Sequence, residues 1–201
     1  MSSANINSLL IAAGFSSRMG KFKPLLIFRD EPVIISIIKK ILAFSSKVFI
    51  VTGFKENEIK SAINKHFQES ALKEKIIFIS NPEFEKGMYT SLQKGLTKAK
   101  ECDWVLYHFV DQPQLPQKFY SDFIDQTDDK FDWIQPAYEN RKGHPVLIKR
   151  TVFNIIIDAD ENSSLKEVTG TKNIIKKIWD CSYKEILFDI DTPEDYNAIA
   201  E

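Results

Sequence analysis

A basic segment near the amino terminus has the residue types that hold phosphate groups. Gly14 and Gly20 enclose a loop that carries two serines, and Arg18 and Lys23 add positive charge. The apolar run before this loop predicts a buried strand over Ser8–Ala13. In open α/β sheets ligands bind at the carboxyl ends of the strands, and successive backbone N–H groups can form a nest for anions. The segment therefore predicts a phosphate site.

The spacing of this segment excludes two common phosphate loops. A Walker A loop has four residues between its glycines and then Lys-Ser or Lys-Thr. Here Gly14 and Gly20 enclose five residues, and Phe22 follows Lys21, so no hydroxyl is placed to meet magnesium. The dinucleotide-binding pattern G-x-G-x-x-G is also absent from the chain. The segment is therefore a phosphate loop of another kind.

Asp111 follows a second apolar run, Trp104–Val110, and Pro113 stiffens the loop after it. The carboxyl end of this predicted strand lies on the same edge of a parallel sheet as the basic loop. Magnesium binds few carboxylates together with water and substrate phosphate oxygens. We expect Asp111 to hold Mg²⁺ beside the phosphates, and the alternative is that it only caps a turn.

A second acidic cluster lies near the carboxyl terminus. A strand is predicted over Glu185–Ile190, and its alternation places Asp189 and Asp191 on one side. Either carboxylate could then approach a metal, and Asp191 is preferred because it stands at the end of the strand. Thr192 is expected to cap a final helix, with Asp195 as a charge in its first turn.

Asn81 follows a predicted strand, Lys75–Ser80, and stands before a predicted helix, Met88–Ala99. Its amide could bond a base or ribose, while Gly87 and Ser91 lie at the start of the helix, whose N–H groups could face a ligand. The alternative is an Asx turn followed by an ordinary helix cap.

His144 stands between Gly143 and Pro145, which predicts a tight turn at the mouth of the site. A contact with the acceptor or with the leaving pyrophosphate is expected for its ring. His66 and His108 are predicted to be structural, and no pair of histidines has the ligand spacing of a zinc site.

Strand-like and helix-like segments alternate along most of the chain, which predicts a three-layer, Rossmann-like α/β fold whose mostly parallel sheet is flanked by helices. A β-hairpin insertion is predicted over residues 133–148, then a helix over Lys149–Ile157 and short helices and loops over residues 158–179. The predicted strands are Ser8–Ala13, Lys47–Thr52, Lys75–Ser80 and Trp104–Val110, and the predicted helices are Pro32–Phe44, Glu56–Phe67, Met88–Ala99 and Gln117–Gln126.

Composition limits the class of protein. The 201 residues, 43% hydrophobic and 27% charged, suffice for one sizeable core and a single domain over residues 1–201. The net charge of −1 gives no general attraction to nucleic acid or membrane, so a small-molecule partner is expected.

No apolar run reaches the roughly 18 residues that span a bilayer, and no leader is recognised, so a cytoplasmic protein is expected. Cys102 and Cys181 belong to no C-x-x-C pair and are predicted to be buried thiols.

Several of these segments together resemble the MobA-like nucleotidyltransferases, nearest the molybdenum cofactor cytidylyltransferases. Residues 10–23 match L-A-A/G-G-x-S-x-R-M-G-x-x-K, with Ile11 as an apolar replacement, and the D-Q-P motif matches with Val110 where Gly often stands. The matches follow the order of the family and cover essentially the whole chain. The remaining matching segments are residues 81–92, G-H-P-V-L-I at 143–148 and D-I-D-T-P-E-D at 189–195.

The resemblance implies a fold of the nucleotide-diphospho-sugar transferase type. It also implies transfer of a nucleoside monophosphate from a triphosphate to the terminal phosphate of molybdopterin, releasing pyrophosphate. Ala13 accompanies the branch of the family that uses CTP. The implied catalytic residues are Arg18, Lys23 and Asp111, with Mg²⁺ on Asp111 and Asp191 and substrate on Gln112 and His144. The implied nucleotide contacts are Ala12, Ala13, Gly14, Ser16, Arg18, Gly20, Lys23, Asn81, Gly87 and Ser91.

Three alternatives stay open at this point. The protein could use GTP instead of CTP, as the guanylyl branch of the family does. It could transfer a nucleotide to another small phosphate acceptor. It could also be a non-catalytic binder that delivers the cofactor to an apo-molybdoenzyme. An apo-molybdoenzyme is a possible partner of the catalytic protein as well. Turnover with defined nucleotides and acceptors separates all three.

Overall fold

The computed structural model describes residues 4–170 and 173–200, and residues 1–3, 171–172 and 201 of the predicted domain lie outside them. Within the described residues, eight strands form one mixed sheet in the order β10-β7-β9-β6-β1-β4-β5, with β8 paired to β7, and β2 and β3 form a small hairpin. The strands are β1 Ile6–Ala12, β2 Ile27–Phe28, β3 Glu31–Pro32, β4 Val48–Thr52, β5 Ile76–Ser80, β6 Trp104–Phe109, β7 Trp133–Tyr138, β8 Arg141–Lys142, β9 Val146–Lys149 and β10 Lys176–Asp180. The α-helices are α1 Val33–Leu42, α2 Glu56–His66, α3 Met88–Ala99, α4 Gln117–Ile124, α5 Arg150–Ile157, α6 Leu165–Gly170 and α7 Pro193–Ala200.

The centre of the sheet is the parallel trio of β4, β1 and β6. All seven residues of β1 are buried, as expected for a strand covered on both faces. One face packs against α1, α2 and α4, and the other packs against α3 and α5. This arrangement confirms the predicted three-layer α/β fold, and it places the carboxyl ends of β1 and β6 side by side.

The predicted hairpin is present, and its strands belong to the main sheet. Strands β7 and β8 are joined by Glu139 and Asn140, whose φ angles of 48° and 63° fit the two-residue turn that twists with its strands. Strand β9 then returns antiparallel between β7 and β6. The helix predicted over Lys149–Ile157 is confirmed as α5.

Two predictions for the last third of the chain are wrong. The strand expected over Glu185–Ile190 is a 3₁₀ helix, Lys184–Leu187, followed by backbone that joins no strand ladder. The short helices and loops expected over residues 158–179 include α6, as predicted, but the stretch also contains most of β10, which pairs with β7 in parallel. Strand β10 is an edge strand with alternating exposed and half-buried residues, so its sequence lacks the apolar run of a central strand.

No helix among residues 4–170 and 173–200 is long and apolar enough to cross a membrane. Both cysteines are free thiols, as the sequence predicts. Cys102 is buried, and this burial raises the pKa of its thiol to about 11. Cys181 is only half-buried, so the expectation of burial holds fully for Cys102 alone.

Candidate active site

The loop that follows β1 passes over the edge of the sheet, and we call residues 13–23 the glycine loop. Ser16 and Gly20 have φ angles of 58° and 65°, and they flank one 3₁₀ turn, Ser17–Met19. The buried side chain of Met19 anchors that turn in the core. The hydroxyl of Ser16 accepts a bond of 3.1 Å from the backbone N–H of Lys23. The left-handed residues thus fold the backbone back on itself, as a phosphate nest requires.

The two cations of the glycine loop meet one carboxylate. Asp191 accepts from Arg18 Nη1 at 2.8 Å on one oxygen and from Lys23 Nζ at 2.7 Å on the other. The side chain of Lys23 is only 12% exposed, whereas that of Arg18 is 74% exposed. The structure therefore brings these three predicted site residues together, although they are far apart in sequence.

Asp111 lies beside this cluster, two residues after the end of β6. Its Oδ1 is buried and has no hydrogen-bond partner among the described residues. Burial, reinforced by the nearby charge of Asp189, raises the pKa of Asp111 to about 7, and Lys23 opposes this rise. Desolvation and a like charge both disfavour the ionised carboxyl. A bound cation would relieve both effects.

A cleft of about 140 Å³ joins the glycine loop to Asp111. Two strands and two loops contribute to its walls, so it lies on the edge where ligands bind in open α/β sheets. Ala12 is buried, while Gly14 is exposed, and a Cβ added at Gly14 would meet nothing within 4 Å. The lining residues are Ile11, Ala12, Gly14, Ser16, Lys23, Pro24, Phe109, Val110 and Asp111.

The fit of these carboxylates to a divalent metal can be tested on their bonding. No group of three or more His, Cys, Asp or Glu side chains is arranged to hold a metal within the described ranges. Magnesium needs only one or two carboxylates when phosphate oxygens and water complete its shell. The unpartnered Oδ1 of Asp111 meets that need. Both oxygens of Asp191 are engaged by Arg18 and Lys23, so Asp191 is free for a metal only when those cations move to phosphate.

We call residues 184–191 the acidic segment, and it is held against the loop after β6. The backbone N–H of Ile190 donates to the Asp111 carbonyl at 2.9 Å. Gln112 is 1% exposed, and its Nε2 donates to the Ile186 carbonyl and to Asp189 Oδ1 at 3.0 and 2.8 Å. The amide N–H groups of Gln112 are thus bound to the acidic segment, while its buried Oε1 has no partner among the described residues, and a contact of Gln112 with substrate stays a prediction.

The two aspartates of this segment are placed differently from the sequence-based expectation. The predicted alternation does not apply, because residues 188–191 form no strand. Asp189 accepts from Gln112, whereas Asp191 faces the cations of the glycine loop. The contacts place Asp191 at the cations of the glycine loop, and the preference for Asp191 over Asp189 as a metal ligand stays a prediction.

Asn81 is fully buried, and its amide is taken up by its own chain. Its Nδ2 donates to the hydroxyls of Thr90 and Ser91 at 3.0 and 2.9 Å, and its Oδ1 accepts from the Glu83 N–H at 3.0 Å. These bonds match the alternative of an Asx turn and helix cap, and a contact of the Asn81 side chain with a base or ribose stays a prediction. Gly87 precedes α3 with a φ of 119°.

His144 lies next to β6, with its ring edge-on to Phe109 at a centroid distance of 4.8 Å. Burial lowers the pKa of His144 to about 4, so the ring is neutral near pH 7. Its buried Nδ1 has no partner in the described part of the chain. His108 is fully buried and bonds the Tyr120 hydroxyl at 2.7 Å, which fits its predicted structural part.

Sequence reasoning missed two contributors to this region. Gln114 donates to the carbonyls of Phe188 and Glu185 at 2.6 and 3.2 Å, and the only sequence signal was its spacing of three from Asp111. Phe15, in the glycine loop, is 44% exposed and packs on Phe54 and Phe84 at centroid distances of 5.1 and 5.0 Å. An aromatic residue inside a polar loop was the available signal for Phe15.

Comparison with known proteins agrees with this geometry. The MobA-like NTP transferase domain matches residues 8–177, which is most of the chain. The protein belongs to the MobA-like NTP transferase family. Members of this family are nucleotidyltransferases, and the protein is accordingly a nucleotidyltransferase by descent.

Individual relatives cover nearly the same span. The molybdenum cofactor cytidylyltransferase of Escherichia coli K12 is 26% identical over 198 residues, 98% of this chain and 96% of the relative. A probable molybdenum cofactor guanylyltransferase of Bacillus anthracis is 22% identical over 172 residues, 83% of this chain and 80% of the relative. The sequence relatives therefore include both nucleotide branches.

Solved structures share the fold. A nucleotidyl transferase from Methanothermobacter superposes with a TM-score of 0.79 at 19% identity, covering 98% of this chain and 96% of that one. Rv0371c of Mycobacterium tuberculosis in complex with manganese superposes with a TM-score of 0.71 at 18% identity, covering 98% of both chains. The fold is therefore that of nucleotidyltransferases of the nucleotide-diphospho-sugar transferase type.

Proposed function

We propose that the protein transfers CMP from CTP to the terminal phosphate of a molybdopterin-type cofactor and releases pyrophosphate. The observation that carries this proposal is the pairing of Arg18 and Lys23 with Asp191 beside the buried, unpartnered oxygen of Asp111. Cations whose present partner is a carboxylate can bind phosphate oxygens instead, and freed carboxylates can accept a metal. The full-length similarity to a cytidylyltransferase supports the choice of substrates.

The glycine loop supplies the groups that a triphosphate needs. Its free backbone N–H groups would bind phosphate oxygens, and Lys23 and Arg18 would neutralise the phosphate charge as they leave Asp191. The guanidinium of Arg18 can grip two phosphate oxygens at once, whereas Lys23 acts as a buried point charge. Asp111 and Asp191 would hold Mg²⁺, which when bound supplies charge neutralisation and orientation of phosphate oxygens.

The transfer itself demands positioning more than proton movement. An oxygen of the acceptor phosphate forms a bond to the α-phosphorus of CTP as the bond to the bridging β-phosphate oxygen breaks. Pyrophosphate leaves with that oxygen and its electron pair. Because the attacking phosphate is already ionised near pH 7, no general base is required, and alignment with charge neutralisation carries the rate.

The choice of CTP over GTP is the finer part of the proposal. Ala13 is 2% exposed, and its carbonyl accepts a bond of 3.0 Å from the Phe54 N–H. Its methyl group thus stands where the guanylyl branch has a glycine, and it leaves less room beside the backbone for a purine. The guanylyltransferase relatives make GTP the direct competitor.

The test is a pyrophosphate-release assay with molybdopterin and Mg²⁺, offering CTP, GTP, ATP and UTP separately. Turnover with CTP that stops on metal removal is the expected result. Turnover with GTP alone would support the guanylyl branch, and release only with another phosphate acceptor would replace molybdopterin. Nucleotide binding without any turnover would favour the delivery protein. A hand-over to an apo-molybdoenzyme stays a prediction, tested by adding that enzyme to the assay.

A matched pair of lysine variants separates the site from general charge effects. Lys23 and Lys39 each form one short ion pair, with Asp191 at 2.7 Å and with Glu31 at 2.6 Å. Lys39→Ala should retain turnover, because Lys39 lies on α1 away from the cleft. Loss of turnover in both variants would point to a nonspecific effect of charge.

A further inference from the structure

The acidic segment has a structural need that its own backbone meets only in part. The acidic segment joins no strand ladder, so its carbonyl groups lack the row of partners that a sheet would supply. Backbone donors reach two of them, because the His144 N–H donates to the Ile186 carbonyl at 3.3 Å and the Phe188 N–H donates to the Glu185 carbonyl at 3.2 Å. Buried backbone carbonyls are almost always bonded, so further donors are expected from neighbouring side chains.

Two glutamine side chains from the loop after β6 supply those donors. Gln112 Nε2 reaches the Ile186 carbonyl at 3.0 Å and Asp189 Oδ1 at 2.8 Å. Gln114 Nε2 reaches the Phe188 carbonyl at 2.6 Å and the Glu185 carbonyl at 3.2 Å. Each amide spans two points of the acidic segment, so together they hold four of its residues.

The same short loop also carries Asp111. Its backbone carbonyl accepts from the Ile190 N–H at 2.9 Å, which adds a fifth bond between the two stretches. The loop thus fixes one carboxylate directly and two others, Asp189 and Asp191, through the acidic segment. Any shift of the segment would change the distance of Asp191 from Lys23 and from Asp111.

We propose that Gln112 and Gln114 are positioning residues for nucleotidyl transfer, which hold Asp189 and Asp191 at the working distance from Asp111 and Lys23. This rests on the proposed function. In this arrangement the amide N–H groups of both glutamines are bound to the acidic segment, and their buried Oε1 atoms have no partner among the described residues. The D-Q-P motif then serves two purposes: its aspartate stands in the cleft, and its glutamine aligns a second acidic motif about 80 residues later along the chain.

The structure offers a matched control for this idea. Gln93 also bonds backbone carbonyls of a distant segment through its side-chain amide. Its Nε2 donates to the carbonyls of Ile156, Ile157 and Ala159 at 3.1, 3.2 and 2.8 Å. Those carbonyls belong to the end of α5 and the loop after it, on the opposite face of the sheet. Replacing Gln93 by Met removes an equivalent set of bonds without touching the acidic segment.

The experiment compares Gln112→Met, Gln114→Met and Gln93→Met, because Met has nearly the volume of Gln but no donors. We expect Gln112→Met to lower kcat about tenfold or more and to raise the Mg²⁺ concentration for half-maximal rate about fivefold, a range usual for groups that orient metal ligands. The KM for CTP should change little. Gln114→Met should show the same pattern more weakly, and Gln93→Met should lower Tm with kcat unchanged.

Two measurements on protein without nucleotide keep the test independent of turnover. Hydrogen exchange of the 186–191 amides should accelerate about tenfold in Gln112→Met and not in Gln93→Met. The affinity for Mn²⁺ alone, followed by electron paramagnetic resonance, should fall in the same variant. If the wild type transfers no nucleotide, the proposed function fails, and these two measurements still decide the positioning role.

Gln112→Glu completes the test, because it keeps shape and replaces the donors by a carboxylate that faces a carbonyl and Asp189. It should be at least as impaired as Gln112→Met. The proposal is overturned if Gln112→Met keeps the wild-type kcat, metal dependence and Mn²⁺ affinity. It is overturned equally if Gln93→Met loses activity and metal dependence to the same degree, since the effect would then be one of stability.

Discussion

The glycine loop and the acidic segment bring opposite charges to one place, but the chain holds them in different ways. The glycine loop is tied by its own backbone and by the Ser16 hydroxyl, directly after the strand that starts the fold. The acidic segment is tied by side chains of another loop. In the glycine loop, backbone N–H groups and the two cations can still bind a ligand. In the acidic segment, the polar groups are used to fix the positions of the carboxylates.

Asp191 is where the two regions meet, and its ion pairs show what each contributes. With Arg18 and Lys23 both bound to one carboxylate, the charges of the two regions neutralise each other. A triphosphate would compete for the cations, and a divalent metal would compete for the carboxylate. The comparison therefore predicts that nucleotide and metal bind with positive cooperativity, because each frees the partner that the other needs.

The largest effect should come from Lys23, the buried cation that joins the two regions. Lys23→Ala should lower kcat/KM about 10²- to 10³-fold, as for removal of one essential electrostatic group, because Lys23 is the more buried of the two cations on Asp191. Pyrophosphate release at CTP concentrations well below KM measures this loss. A loss below about fivefold would mean that the glycine loop grips phosphate by its backbone alone.

Asp111 tests the carboxylate side of the comparison. Asp111→Asn should lower kcat about 100-fold and flatten the dependence of rate on Mg²⁺ concentration, since the amide is a poor metal ligand. The measurement is a magnesium titration of the rate for both proteins. An unchanged rate and an unchanged titration midpoint would show that the metal is held elsewhere.

Two glycines allow the contrast between the regions to be sharpened. At Gly14 a Cβ would meet no atom within 4 Å, while at Gly143 it would collide with the Ile186 carbonyl of the acidic segment. Gly14→Ala should keep Tm and weaken CTP binding about tenfold, because only a ligand approaches that backbone so closely. Gly143→Ala should lower Tm by several degrees.

Calorimetry of CTP binding and thermal unfolding of both glycine variants provide the data. If Gly14→Ala binds CTP with wild-type affinity, the triphosphate does not pass over Gly14. If Gly143→Ala is as stable as the wild type, the acidic segment can move away from β8 and β9 at little cost.

Arg18 should give a smaller effect, because its side chain is 74% exposed. Arg18→Lys keeps the charge but loses the planar fork, so kcat/KM should fall about five- to tenfold. The loss should shrink as salt is added to the assay, since exposed charges are screened. A salt-independent loss would mean that Arg18 acts in a dry site.

The smallest expected effect concerns the strand that supports both regions. His108 is fully buried, and burial lowers its pKa from 6.5 to about 3, so the folded protein binds its proton less readily than the unfolded chain. Stability from this group is complete above about pH 6.5 and is lost as pH falls toward 3, by up to about 1.4 kcal/mol per pH unit. His108→Gln, which can still bond Tyr120, should show a shallower loss of unfolding free energy between about pH 6.5 and 5. If the unfolding free energy of both proteins changed equally with pH, the burial of His108 in β6 would not lower its pKa.

The parts of the fold that could be predicted from sequence are those that a short, local residue pattern specifies. The apolar run before Gly14 and the one before Asp111 each identify a central strand and its carboxyl end, and parallel pairing then places both ends on one edge. The isoleucines at positions 34, 35, 37, 38 and 41 of α1 form a wide apolar face, which similarly predicts a helix against the sheet. These elements depend on burial alone, which the residue types report.

The acidic segment could not be predicted in the same way. Ile186 and Ile190 are buried and Phe188 is half-buried, so the apolar alternation suggests a strand. In the structure, the side chains of Gln112 and Gln114 donate to carbonyls that a neighbouring strand would otherwise bind. No local sequence pattern predicts these long-range bonds. The same limit applies to Asn81, because its motif fixes where the amide stands and not whether it bonds a ligand or its own helix.

The most direct test is a crystal structure with CTP and Mn²⁺, with the metal located from its anomalous signal. The account predicts triphosphate oxygens on the backbone of residues 14–20 and on Lys23, with manganese on Asp111 and Asp191 and the Arg18 and Lys23 ion pairs to Asp191 opened. Nucleotide bound away from the glycine loop, or manganese absent from Asp111 while those ion pairs stay closed, would contradict it.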